Sequence, residues 1–173
     1  AILPEAAATV ARWREHATKI GLPGLYIHGA NSFGFSDYEG VGLDGVVEFP
    51  PHTLNIGEIT EQVVRYNRDH SGRIYDYVET AAAVMDEMTS RRDPAIHPGV
   101  MPMWDNEARR PGAGNVFHNI DPTAYRAWLA TALETSARLC PPERRVVFIN
   151  AWNEWAEGAY LEPDQWFGHA MIQ

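Results

Sequence analysis

Residues 145–158 read "RVVFINAWNEWAEG". Val146, Val147, Phe148 and Ile149 form a short apolar run preceded by Pro141 and Pro142. Such a run reads as a strand buried on both faces, as in a parallel sheet. The segment after it is chemically different, because Glu154, Glu157 and Glu162 are crowded among Trp152, Trp155 and Tyr160.

Three earlier stretches resemble this strand: "LYIHGA" (25–30), "GVVEF" (45–49) and "HPGVMPMW" (97–104). Helical spacing separates them. Val10, Trp13, Ala17 and Ile20 mark one helix, which "GLPG" stops. Val78, Ala81, Met85 and Met88 mark a second, entered from Ile74. Tyr125, Leu129, Ala132, Ser136 and Leu139 mark a third, with Asp121 as its N-cap and Pro122 at its first position. Trp13 and Trp128 fall on helix faces and are expected to be core or barrel-packing residues. A Gly-rich aromatic loop precedes the second strand, and a polar excursion of some two dozen residues comes after it.

Apolar strands alternating with helices imply a parallel sheet covered on both faces, in a barrel or a doubly wound fold. No Gly-rich phosphate loop follows any strand, which favours the barrel. A (β/α)8 barrel needs eight strands and typically about 250 residues. Four strands in 173 residues therefore predict the C-terminal half of a (β/α)8 TIM-type barrel. On this reading residues 1–173 are a single catalytic-domain fragment, with the N-terminal half of the barrel as its missing partner. The absence of an initiator methionine agrees with that expectation.

Composition excludes several other classes. The net charge is -9, and Lys19 is the only lysine among 14 basic residues, so no basic stripe is available for nucleic acid. Cys140 stands alone, ruling out an intrachain disulfide and a thiolate metal site; it reads as a small buried apolar residue. No metal site and no cofactor are expected. There is no membrane-length apolar run and no signal-peptide pattern, which favours a cytoplasmic location without fixing one.

In a barrel, catalytic groups come from the carboxyl ends of the strands. The polar residues assigned to those ends are His28, Glu48 with His52, Asp105 with Asn106, and Asn153 with Glu154 and Glu157. If "NEWAEG" forms a helical turn, Glu154 and Glu157 leave one face with Cβ atoms about 5 to 6 Å apart. Two such carboxylates suit glycoside chemistry, where one protonates the leaving oxygen and the other assists on the sugar side. Mutual repulsion would raise one of the two pKa values. Trp152, Trp155, Tyr160 and Trp166 supply flat faces for sugar C–H groups.

The segment "FINAWNEWAEGAYLEPDQWFG" resembles the signature of the WbsX-like family, which is related to glycoside hydrolase family 99. The blocks "LPEAAATVARWREHATKIGLPGLYI", "GLDGVVEFPPH" and "MPMWDNEARR" are also similar to family blocks, in family order. The "EWxEG" core of family 99 implies that Glu154 acts as a base on the sugar 2-hydroxyl, forming a 1,2-anhydro intermediate, and that Glu157 is the acid/base. The candidate substrate-binding residues are Glu48, His52, Trp104, Asp105, Asn106, Arg109, Trp152, Asn153, Trp155, Tyr160 and Glu162.

Several of these have a structural alternative. Glu48, inside an apolar strand, either lines the cavity or forms an ion pair. Asp105 and Arg109 either form a buried pair or contact sugar. Glu162 either contacts sugar or has a structural role, capping the following helix or holding the loop. His28 and His52 are either rim residues or sugar ligands. The expected function is a retaining, family-99-like glycoside hydrolase acting on an oligosaccharide or polysaccharide. The alternatives are a glycosyltransferase of surface polysaccharide assembly and a non-catalytic carbohydrate-binding module.

Overall fold

The computed structural model describes residues 4–33, 35, 37–54, 57–65 and 67–173. Gly34 and Ser36 of the aromatic loop, and Asn55, Ile56 and Tyr66 of the polar excursion, lie outside the described residues. In chain order the elements are α1 (Ala6–Lys19), β1 (His28–Asn31), the one-turn α2 (Tyr38–Val41), β2 (Gly45–Glu48), β3 (Ile74–Asp76) and α3 (Tyr77–Ser90). Next come β4 (Ile96–His97), β5 (Gly99–Val100), β6 (Val116–His118), α4 (Pro122–Leu139), β7 (Phe148–Ile149), β8 (Asn153–Glu154) and β9 (Ala159–Tyr160).

The principal strands are parallel and neighbour one another in chain order. β1 pairs with β2 from His28↔Gly45 to Asn31↔Glu48, and β2 pairs with β4 through Val47↔His97. β5 pairs with β7 through Val100↔Ile149. Between β4 and β5 stands Pro98, which has no N–H to give a ladder, so the strand changes partners there. Its carbonyl still accepts from Phe148 N at 3.0 Å. The mixed α/β architecture with parallel strands in sequence order thus agrees with the sequence reading.

The helices form where their caps permit. Asp121 Oδ1 accepts from Thr123 N at 2.7 Å with Pro122 behind it, as the sequence predicts for α4. Asp76 caps α3 in the same way, accepting from Glu79 N at 2.9 Å. α3 and α4 pack on each other, and the core between them and β5 includes Ala81, Met88, Val100, Trp128 and Ala132, all fully buried. Removing a side chain as large as Trp128 from such a site typically costs about 3–5 kcal/mol. α1 is tied on by Arg14, which donates to Leu25 O, Gly42 O and Asp44. Burial works against the charge of Asp44, but the Ile27 N–H and Arg14 bring its pKa below the ordinary value. Cys140 is buried, with Sγ 3.6 Å from Pro94 O.

Five expectations need correction. His28 begins β1 rather than ending it, because the preceding "LYI" is not laddered. Ile74 belongs to β3, and the buried face of α3 is Tyr77, Thr80, Ala81, Val84 and Met88, with Val78 41% exposed. Trp13 is 49% exposed because α1 buries only Val10 and Ala17. Phe148 and Ile149, expected in a strand buried on both faces, are each 39% exposed, since β7 pairs on one side only among the described residues. Finally, the polar excursion ends in a further parallel pair, β3 with β6, and the acidic segment forms a short hairpin, β8 with β9.

Candidate functional site

Because these strands are parallel, their carboxyl ends lie on one side, and the loops leaving them assemble the site. Asn150, just after β7, donates to Pro50 O beyond β2 at 2.7 Å. Past it the chain forms β8, a single 3₁₀ turn at Trp155–Glu157, and β9. Glu154 is therefore in a strand and only Glu157 in the turn, so the expected helical turn through both is shorter than predicted. Glu154 is exposed, and its carboxylate has no hydrogen bond or ion pair among the described residues.

Glu157 is held from two directions. Its carbonyl accepts from Asp105 N at 2.8 Å, and its carboxylate, 19% exposed, forms a short ion pair with Arg109. Arg109 therefore pairs with Glu157 and not with Asp105, whose Oδ1 instead accepts from Glu107 N at 2.9 Å. Gly158 makes this contact possible: at φ 56°, an added Cβ would lie 2.8 Å from Asp105 N and 2.9 Å from Asp105 O.

Trp155 stacks on Tyr160 with centroids 3.8 Å apart, and its Nε1 donates to Glu162 at 2.6 Å. Glu162 thus holds the loop. Tyr160 donates to Asp164 at 2.9 Å, and burial together with that carboxylate pushes its pKa up to about 12. Burial opposes the charge of Asp164, yet donation from Phe167 N, Tyr160 and Trp166 N leaves its pKa lowered. Asp164 was not singled out in the sequence; its spacing four residues beyond Tyr160 is the signal that was there to use. A cleft of about 650 Å³ is lined by Trp155, Tyr160, Asp164 and Trp166 on one side and by Trp104 and Asp105 on the other; Gly158 lines it too, whereas Glu154, Glu157, Arg109 and Glu162 stand beside it and are not part of its wall. Trp166 is 86% exposed at its mouth. Trp152 and Asn153 are exposed and do not line this cleft.

Other predicted residues separate from this group. Glu48 binds Arg91 in a short ion pair, accepts from Gly99 N at 3.2 Å and faces its own 130 Å³ cavity, so the ion-pair alternative describes its contacts. His28 packs against buried His97, ring centroids 4.3 Å apart, near the amino end of β1. His52 and Asn106 line a second cleft beyond Trp104. A third hollow, about 480 Å³, is lined by His70, Glu107 and His118. Glu107 spends its carboxylate on the N–H groups of Gly112 and Gly114, and its pKa is lowered by them against burial. No group of three or more His, Cys, Asp or Glu residues among the described residues could hold a metal ion. No described helix is long and apolar enough to cross a membrane.

The family model described as Glycosyltransferase WbsX matches residues 1–173. The chain belongs to the WbsX family. Two Xanthomonas campestris pv. campestris proteins, each described as uncharacterized protein WxcX, from strains B100 and ATCC 33913, are 40% identical to it over 171 residues. The match covers 99% of this chain and 24% of theirs, so the chain spans about a quarter of the length of these curated relatives. Among solved structures, a glycoside hydrolase-like protein superposes with a TM-score of 0.55 at 15% identity, over 96% of this chain and 48% of that one. That likeness concerns the fold. The WbsX signature segment thus falls in the β7–β9 region that carries Glu154, Glu157, Trp155 and Tyr160.

Proposed function

We propose that this WbsX-family chain is part of an enzyme acting on glycosidic bonds. It supplies four consecutive strands of a (β/α)8 barrel, and the open edges of β1 and β7 pair with strands encoded upstream in the gene product. The strand order and the 48% coverage of the glycoside hydrolase-like fold support that geometry.

The observation that carries the reading is the seating of Glu157. Its main chain is fixed on Asp105 and its carboxylate on Arg109, beside an aromatic cleft with the concave, mostly apolar character of a sugar site. In the first step protonated Glu157 gives its proton to the leaving oxygen, and the carboxylate so formed is the species that pairs with Arg109, while Glu154 takes the proton of the sugar 2-hydroxyl. The 2-oxygen attacks C1, the glycosidic C–O bond breaks, and a 1,2-anhydro sugar forms. In the second step Glu157 accepts a proton from water, which attacks C1, and Glu154 returns a proton to the 2-oxygen. The configuration at C1 is retained. Trp155 and Tyr160 form the platform beneath the sugar, and Arg109 orients Glu157.

A second reading, glycosyl transfer in surface-polysaccharide assembly, is favoured by the family description. Product analysis by NMR separates the two. The full-length gene product should release a reducing sugar of retained configuration from an oligosaccharide without any nucleotide sugar. Product formation that requires a nucleotide sugar would overturn hydrolysis in favour of transfer.

A further inference from the structure

The cleft on the far side of Trp104 has a different chemistry from the one beside Glu157. It holds about 590 Å³ and shares Trp104 and Phe117 with the first cleft, so the two are neighbours across one wall. The first is lined by Asp105, Glu107 and Asp164 and by no Arg or Lys. The second is lined by Arg73 and Arg110 and by no Asp or Glu.

The second cleft offers mainly hydrogen-bond donors. The guanidinium of Arg110 has no hydrogen bond or ion pair among the described residues. Arg73 is the less free of the two: its side chain hydrogen-bonds Tyr75, which also lines the cleft, and its Nε lies 3.9 Å from the Glu58 carboxylate. Asn106 and Asn115 both line the cleft, and each uses its side-chain oxygen on a main-chain N–H: Asn106 Oδ1 accepts from Asn115 N at 2.7 Å, and Asn115 Oδ1 from Arg73 N at 3.0 Å. Those bonds settle which way each amide faces, and what each has left to offer is its NH₂. His52 stands beside them, its ring 6.0 Å from Trp104. Two guanidinium groups, two amide donors and an imidazole around aromatic walls match a ring bearing an oxyanion.

We propose that this second cleft is a subsite for an anionic unit of the saccharide, bound by Arg110 and Arg73 while the neighbouring unit occupies the cleft beside Glu157. The anion is the carboxylate of an acidic sugar or the phosphate of a sugar phosphoester. This rests on the glycosidic reading above and assigns its substrate class.

The test measures binding to the full-length gene product carrying Glu157→Gln, by calorimetry, using a uronate-containing oligosaccharide, the matched neutral oligosaccharide and the same oligosaccharide carrying a phosphomonoester. An anionic ligand should bind at least about tenfold more tightly than the neutral one, with the advantage shrinking as salt rises. Arg110→Gln with Arg73→Gln should abolish that advantage, and Arg110→Lys should restore part of it. Preference for the uronate identifies a carboxylate, and preference for the phosphorylated oligosaccharide identifies a phosphate; either supports the subsite. Equal binding of all three, or an acid preference that survives the arginine substitutions, overturns it. Arginine-dependent binding of the uronate with no cleavage by the unsubstituted protein would leave the subsite standing and sink the hydrolase. Cleavage of neutral oligosaccharides with no acid preference would do the reverse.

Discussion

Arg109 and Glu157, 48 residues apart in sequence, share an ion pair at the meeting of the β5–β6 and β8–β9 connections. Arg109 is 56% exposed at its side chain, so the pair contributes little to folding. On the proposed mechanism its consequence is orientation of Glu157. Arg109→Ala should lower kcat about tenfold or more with a small change in Tm, and Arg109→Lys should recover only part, because an ammonium lacks the planar fork. Full activity in Arg109→Ala, measured on an oligosaccharide, would remove the arginine from the site.

Gly158 should tolerate no side chain. Its positive φ strains any L residue, and a Cβ would strike the Asp105 main chain. Gly158→Ala is expected to cost about 1–3 kcal/mol and to unseat Glu157, reducing activity more than the loss of folded protein explains. Denaturant unfolding and kcat on the same preparation check both. An active, equally stable variant would show that the Asp105 contact is dispensable.

Glu48 and Arg91 make a pair at 15% and 5% side-chain exposure. Removing Glu48 leaves the buried Arg91 charge with only the exposed Glu87 carboxylate, 3.4 Å away, so Glu48→Ala should destabilise by about 3–5 kcal/mol. A sugar-contacting Glu48 would instead raise KM at unchanged stability, and chemical denaturation decides between them.

His97 is fully buried, and neither of its ring nitrogens has a hydrogen bond among the described residues. Burial, then His28 and Arg144, lowers its pKa from 6.5 to about 4. Between those values the unfolded chain binds more protons than the folded one, so this contribution is complete above pH 6.5 and is lost as pH falls towards 4. Tm should decline from about pH 7 to about pH 4.5, and His97→Phe should flatten that decline. An unchanged slope in the variant would contradict the assignment.

How much of the structure was legible in the sequence reflects the range of the forces involved. The N-cap Asp121 with Pro122 and the parallel strands were legible because caps and apolar runs act within a few residues. Residues 74–76 and 116–118 were not: each strand is three residues long and stable only because the other pairs with it across the intervening chain. The same holds at the site. Glu154, Glu157, Trp155 and Tyr160 stood out in one segment, but the partner of Glu157 is Arg109 and that of Glu48 is Arg91, neither choice being local. His28 was misplaced because "LYI" is apolar enough to read as strand while its main chain is not laddered.

On the proposed mechanism Glu154 and Glu157 divide the labour. Glu157→Gln should slow cleavage of a natural glycoside on the order of 10²- to 10⁴-fold, because protonation of the leaving oxygen is lost. An aryl glycoside with a good leaving group needs little protonation. Single-turnover release of the aryl group by the full-length gene product should therefore be restored in Glu157→Gln and remain slow in Glu154→Gln, where help on the sugar side is missing. Rescue of Glu154→Gln alone would reverse the roles, and full activity of both variants on the natural glycoside would contradict the account.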